Sequence, residues 1–120
     1  MSLSAYPTEP IHSITGQDIE IPVTMVAPLY YNSRYDNIGR VRIILDGVQI
    51  ASSGAISLFA GTSQSIVIII PGSGISLGTQ ILTLITELRY EFDWLNDGNY
   101  QVTVIINSPC NIPICNLRLE

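Results

Sequence analysis

The 120-residue chain contains no lysine, and its only cations are Arg34, Arg40, Arg42, Arg89 and Arg118. Against ten acidic residues these leave a net charge of −5, with no basic stripe to neutralise phosphates, so nucleic acid is not an expected partner. Charged residues make up only 12% of the sequence, about half of the ~25% usual in a soluble domain. Such an exterior costs little to desolvate and suits contact with other protein. Hydrophobic runs are short: the longest, Ile66 to Ile70, falls far below the roughly 18 residues of a membrane helix, so no membrane span is expected. Residues Met1 to Pro7 have neither the cationic nor the apolar region of a secretory signal.

Catalytic residue types are as scarce as charge. His12 is the only histidine and has no neighbour in the sequence that would make it a base. No serine sits in Gly-x-Ser-x-Gly, and Gly72-Ser-Gly74 lacks the lysine and following helix of a phosphate-binding loop. Cys110 and Cys115 are too few for a zinc site. They either close a short disulfide loop, if the backbone brings their Cα atoms to about 5.5 Å, or remain two ordinary cysteines. Neither an enzyme nor a cofactor or metal protein is expected.

What the chain does contain is alternation. Hydrophobic residues make up 47% of it, and they recur with the period of two that buries one face of a strand. Ile19, Ile21, Val23 and Met25 alternate with Asp18, Glu20 and Thr24, and Pro22 falls on the outward phase, as an edge strand tolerates. Val41, Ile43 and Leu45 precede Asp46-Gly47, and Val48 and Ile50 follow. Asp-Gly between apolar alternations predicts a type I′ hairpin, pairing Leu45 with Val48 and Ile43 with Ile50 on one face. A short strand is expected over Ala55 to Ala60. Ser65 to Ile70 is a second, continuously apolar, which suggests burial on both sides within a sheet or under a neighbouring subunit.

Pro71 to Gly74 reads as a mobile connection. Leu82, Leu84, Leu88, Tyr90, Phe92 and Trp94 then hold one phase, interrupted by Thr86, and predict a long strand. Tyr100, Val102, Val104 and Ile106 form the apolar phase of the next. Setting Trp94 opposite Tyr100 and Phe92 opposite Val102 requires a three-residue loop of Asn96, Asp97 and Gly98 with a glycine bulge. The expected organisation is one domain: an extended arm over residues 1–16, an antiparallel β-sandwich of seven or eight strands over 17–107, and a tail or last strand over 108–120.

The segments Val41-Arg-Ile-Ile-Leu-Asp-Gly-Val-Gln-Ile50, Leu58-Phe-Ala-Gly-Thr-Ser-Gln-Ser-Ile-Val67 and Asn96-Asp-Gly-Asn-Tyr-Gln-Val-Thr-Val-Ile105, with a long strand before the last, resemble the CARDB-type immunoglobulin-like domains of microbial cell surfaces. The resemblance implies an all-β, immunoglobulin-like sandwich used for adhesion, spacing or assembly, without catalysis.

Among candidate binding residues, Tyr30, Tyr31 and Tyr35 share one loop and offer rigid amphipathic contact area, as a subunit interface or a platform for a sugar ring. They serve equally well to cover one end of a sandwich. Glu87, Glu91 and Asp93 share one outward phase, read as a solvated strand face rather than a cation site. Asn96, Asp97 and Asn99 are read as turn formers rather than calcium ligands. The expected function is a structural subunit that assembles with itself or with other structural subunits, in a virion as a capsid, turret or fibre protein. The alternative is an extracellular adhesion or glycan-binding module.

Overall fold

The computed structural model of the chain describes residues 2–27 and 35–108, with positions 35 and 36 described by their backbone alone. Nine strands lie within them: β1 (Ser2–Ala5), β2 (Ile11–Ile14), β3 (Ile19–Val26), β4 (Tyr35–Leu45), β5 (Val48–Ser52), β6 (Ile56–Ser57), β7 (Ser63–Ile70), β8 (Gly78–Tyr90) and β9 (Asp93–Asn107). They form an all-β sandwich. One sheet has the order β1-β3-β7; the other has the order β2-β9-β8-β4-β5, with β6 paired to β4. No α-helix occurs among the described residues.

Period-two alternation places the core. Ile19, Ile21, Val23 and Met25 of β3, with Ile68 and Ile70 of β7, face Val41 and Ile43 of β4, Leu82, Leu84 and Leu88 of β8, and Val102, Val104 and Ile106 of β9, all buried in one cluster. Their alternate neighbours face outward, as a two-layer sandwich requires.

The N-terminal segment ties the layers together. β1 pairs antiparallel with β3, the chain crosses the rim, and β2 then pairs parallel with β9. The crossing is pinned by the Tyr6 ring, 5.0 Å from that of Tyr100, and by the Leu3 N–H, which donates to the Tyr100 hydroxyl at 3.2 Å.

The Asp46-Gly47 turn forms as expected, with positive φ at both residues (52° and 82°) and Leu45 opposite Val48. Beyond it the register slips: Ile43 stands opposite Ala51, because Ile50 is taken up in a bulge. The four residues therefore do not share one buried face, and Val48 at the hairpin end is 62% exposed.

The long hairpin closes elsewhere than the sequence suggests. Its turn is Glu91-Phe92, both at positive φ (49° and 67°), with Tyr90 opposite Asp93. Trp94 stands opposite Arg89, Tyr100 opposite Leu84 and Val102 opposite Leu82. A chain reversal at Asn96 to Gly98 would leave Gly78 to Thr86 without partners in β9; the observed register pairs β8 along its whole length, and unpaired backbone groups are costly. The bulge expected near Gly98 is present within the strand, since Thr86 faces Gly98 while Glu87 faces Asn96, leaving Asp97 as the extra residue. That one residue changes the parity of the pairing. It permits closure by a two-residue turn and rotates Trp94 from the inner face to the outer.

The connection expected to be mobile is a single 3-10 turn, Gly72–Gly74. The Gly72 N–H donates to Asp18 Oδ1 at 3.0 Å, and the Gly74 N–H to the Pro71 carbonyl at 3.0 Å.

Candidate interaction surfaces

Three surface regions stand out, and each follows from strand phase. The first is the outer face of the larger sheet. Arg40 and Arg42, two apart on β4, project on the same side as Glu87 of β8, and their Nε atoms donate to Glu87 Oε1 at 2.5 Å and 3.1 Å. Arg42 also donates to Gln49 Oε1 at 3.2 Å. Arg40 stacks over the Trp94 ring, 4.0 Å from its centroid, an interaction of about 0.5–1 kcal/mol at such a site. Glu87 is 7% exposed, so the expected solvated face is, at this residue, a carboxylate covered by two guanidinium groups.

Glu87→Leu leaves both arginines without their acceptor while they stay partly exposed, and the loss is about 1–3 kcal/mol. Urea unfolding of the variant checks it. The same carboxylate does not join Glu91 and Asp93, which lie at the turn and after it, both exposed.

The second region is the tip of the β8–β9 hairpin. Phe92 is 80% exposed and Leu95 43%, while Arg89 lies 5.7 Å from the Phe92 ring and 5.8 Å from that of Trp94. Two-residue turns of this type favour Asn-Gly, because a side chain at positive φ crowds the backbone by roughly 1–2 kcal/mol per residue. Replacing Glu91-Phe92 by Asn-Gly is therefore expected to raise stability by about 1–3 kcal/mol, read as a higher urea midpoint with an unchanged slope.

The third region is the outer face of the smaller sheet. Pro22 stands opposite Val67 and Glu20 opposite Ile69; Val67 is 54% exposed and Ile69 47%. The sequence points to burial of the Ser65 to Ile70 strand on both sides, and among the described residues nothing covers its outer side. Where β1 ends and the chain leaves for the other layer, an open cleft of about 650 Å³ is lined by Ala5, Tyr6, Pro7, Pro22, Val23, Thr24, Ser65, Ile66 and Val67. Among the described residues its lining carries no carboxylate, imidazole or cation, and the Thr24 and Ser65 hydroxyls bond to each other at 2.8 Å. This cleft offers apolar contact.

The remaining candidates are placed as follows. The backbone of Tyr35 opens β4 opposite Tyr90, beside the hairpin tip. Its side chain, together with Tyr30, Tyr31, Cys110 and Cys115, lies outside the described residues. His12 is exposed on β2, opposite Ile105. At the bulge, Asn96 Oδ1 accepts from the Gly98 N–H at 3.1 Å and Asn99 Oδ1 accepts from Asn96 Nδ2 at 3.2 Å, so these oxygens brace the backbone kink. Among the described residues no three His, Cys, Asp or Glu side chains are grouped to hold a metal ion. No helix of the described residues is long and apolar enough to cross a membrane.

Sequence reasoning missed the tip and the guanidinium cover of Glu87. The available signal was the pair of arginines in β4 on the phase of Glu87, which becomes readable once β4 is known to neighbour β8. No protein-family model matches the chain, and no curated protein matches it.

Proposed function

We propose that the chain is a non-enzymatic structural subunit that assembles with copies of itself or with other structural subunits, as a capsid, turret or fibre component of a virion. The observation that carries this reading is the outer face of the smaller sheet. Pro22, Val67 and Ile69 lie there side by side, uncovered, in a chain with only 12% charged residues. Contiguous exposed aliphatics of this kind mark contact surfaces, and the scarcity of charge keeps the desolvation cost of association low. We further propose that the sandwich is of the immunoglobulin-like, CARDB type. The facing orders β1-β3-β7 and β2-β9-β8-β4-β5, with the first two strands divided between the layers, support that assignment.

Light scattering of the purified protein over a concentration series tests the subunit reading. A mass that rises with concentration is expected, and a strict monomer throughout overturns it. A second reading, an extracellular adhesion or glycan-binding module, is favoured by Phe92 and Trp94 at the hairpin tip, beside which Tyr35 enters β4. A glycan array probed with the wild-type chain and with Phe92→Ala and Tyr35→Ala variants separates the two. A defined sugar signal lost in the variants supports the module, whereas silence in all three supports the subunit.

A further inference from the structure

Among the described residues the sandwich has open edges, and they are not alike. β1 and β2 are four residues each, and the β1 register is broken between Leu3 and Ala5. β5 has five residues with a bulge, and β6 has two. Shortness and bulges are the usual devices that stop a sheet edge from templating another strand. β7 has neither. It is eight residues long and pairs with β3 at eight consecutive positions without a register shift. Its sequence Ser-Gln-Ser-Ile-Val-Ile-Ile-Ile contains no charge, proline or glycine. β5 passes the same rim in the other layer, but no ladder joins it to β7.

The direction of the β7 backbone groups follows from one residue of its neighbour. In an antiparallel ladder, opposed pairs alternate between those that exchange both backbone hydrogen bonds and those that exchange none. Pro22 has no N–H and stands opposite Val67, as the second kind of pair allows. The Val67 N–H and C=O therefore point away from β3, to the open edge, and by alternation so do those of Ser63, Ser65 and Ile69.

We propose that this edge pairs antiparallel, about a two-fold axis, with the β7 edge of a second copy, joining two three-stranded sheets into one of six. The inference rests on the assembly reading and names its interface. A second copy is the fitting occupant because β7 carries no charge to oppose its own image, and a two-fold through Ile68 sets Ile66 beside Ile70 on the inner face and Val67 beside Ile69 on the outer, aliphatic against aliphatic. Val67 and Ile69 of the two molecules then form one continuous outer patch. An edge ladder covers less area than the roughly 1,200–2,000 Å² of a standard interface, so the pairing is expected to dissociate in about the micromolar to millimolar range.

Sedimentation velocity on the full chain, from micromolar to near-millimolar, tests it with three variants. Ser65→Pro removes an outward N–H without touching the ladder to β3. Val67→Lys places a charge on the edge and retains the proposal's test if the proline variant fails to fold. Ile81→Lys alters an exposed aliphatic, 55% accessible, on the other sheet. Wild type and Ile81→Lys are expected to associate alike, and the two β7 variants to weaken association at least tenfold while their circular dichroism is unchanged. Association of folded Ser65→Pro or Val67→Lys at wild-type strength overturns the β7 interface and leaves the assembly reading standing. A wild-type chain that stays monomeric throughout overturns both.

Discussion

Gly72→Ala is expected to lower the free energy of unfolding by roughly 2–4 kcal/mol, while Gly74→Ala, two residues along the same turn, leaves it within about 0.5 kcal/mol. A Cβ on Gly72 would run into the Gln17 carbonyl oxygen and the Gly16 backbone, whereas one on Gly74 meets nothing within 4 Å. The obstacle at Gly72 is main chain and cannot be relieved by a side-chain rotation. Either the Thr15 to Asp18 turn or the 3-10 turn must move, and the bond from the Gly72 N–H to Asp18 Oδ1 is lost with that movement. Urea midpoints of the two variants and of wild type check the contrast. Equal losses in both would mean that backbone entropy, not the close approach, governs the site.

Leu84→Ala is expected to cost about 2–5 kcal/mol, the range for deleting a fully buried aliphatic side chain with partial collapse around it. Leu84 has no exposed surface; it stands between Ile43 on one side and Tyr100 on the other, beneath the opposing layer. For a domain whose whole stability is on the order of 5–15 kcal/mol, that loss is large. Ile81→Ala, three residues earlier on the same strand but 55% exposed, is expected to change stability by less than about 0.5 kcal/mol. Thermal and urea unfolding of both variants check the assignment of inner and outer phase along β8.

Much of the layering was legible because a strand buries alternate residues regardless of which strand lies beside it. The inner sets Ile19 to Met25, Leu82 to Leu88 and Val102 to Ile106 could be read from polarity alone, and each is buried. Asp46-Gly47 was equally readable, since its positive φ values are a property of two adjacent residues. The turn of the long hairpin was not. Asn96-Asp97-Gly98 has better local turn chemistry than Glu91-Phe92, yet the ladder places the reversal at the poorer pair. Gly78 to Thr86 gain partners that way, and the summed backbone pairing outweighs the strain of two side chains at positive φ. Asn96 to Gly98 then absorb the odd residue as a bulge, with the Thr86 hydroxyl donating to the Gly98 carbonyl at 3.4 Å. That bond gives a physical reason for the one polar interruption in the inner phase of β8.

The candidate surfaces divide in the same way. The abundance of uncovered aliphatics follows from composition, because a chain this poor in charge cannot cover its exterior with ionic groups. Which aliphatics are uncovered does not follow from it. Val67 and Ile69 are open because they take the outward phase of a sheet whose other face packs on the second layer. Glu87 is covered because β4 brings Arg40 and Arg42 beside it from far along the chain.

By itself, then, the sequence determined the β class, the inner face of each long strand, the tight Asp-Gly hairpin and the lack of charge on the exterior, since each depends on residues within a few positions of one another. Tertiary structure decided the strand order, the division of the first two strands between layers, the place of the long reversal and the outward turn of Trp94. Those features depend on which distant strands share hydrogen bonds, and a single residue shifted in register moves every side chain to the opposite face.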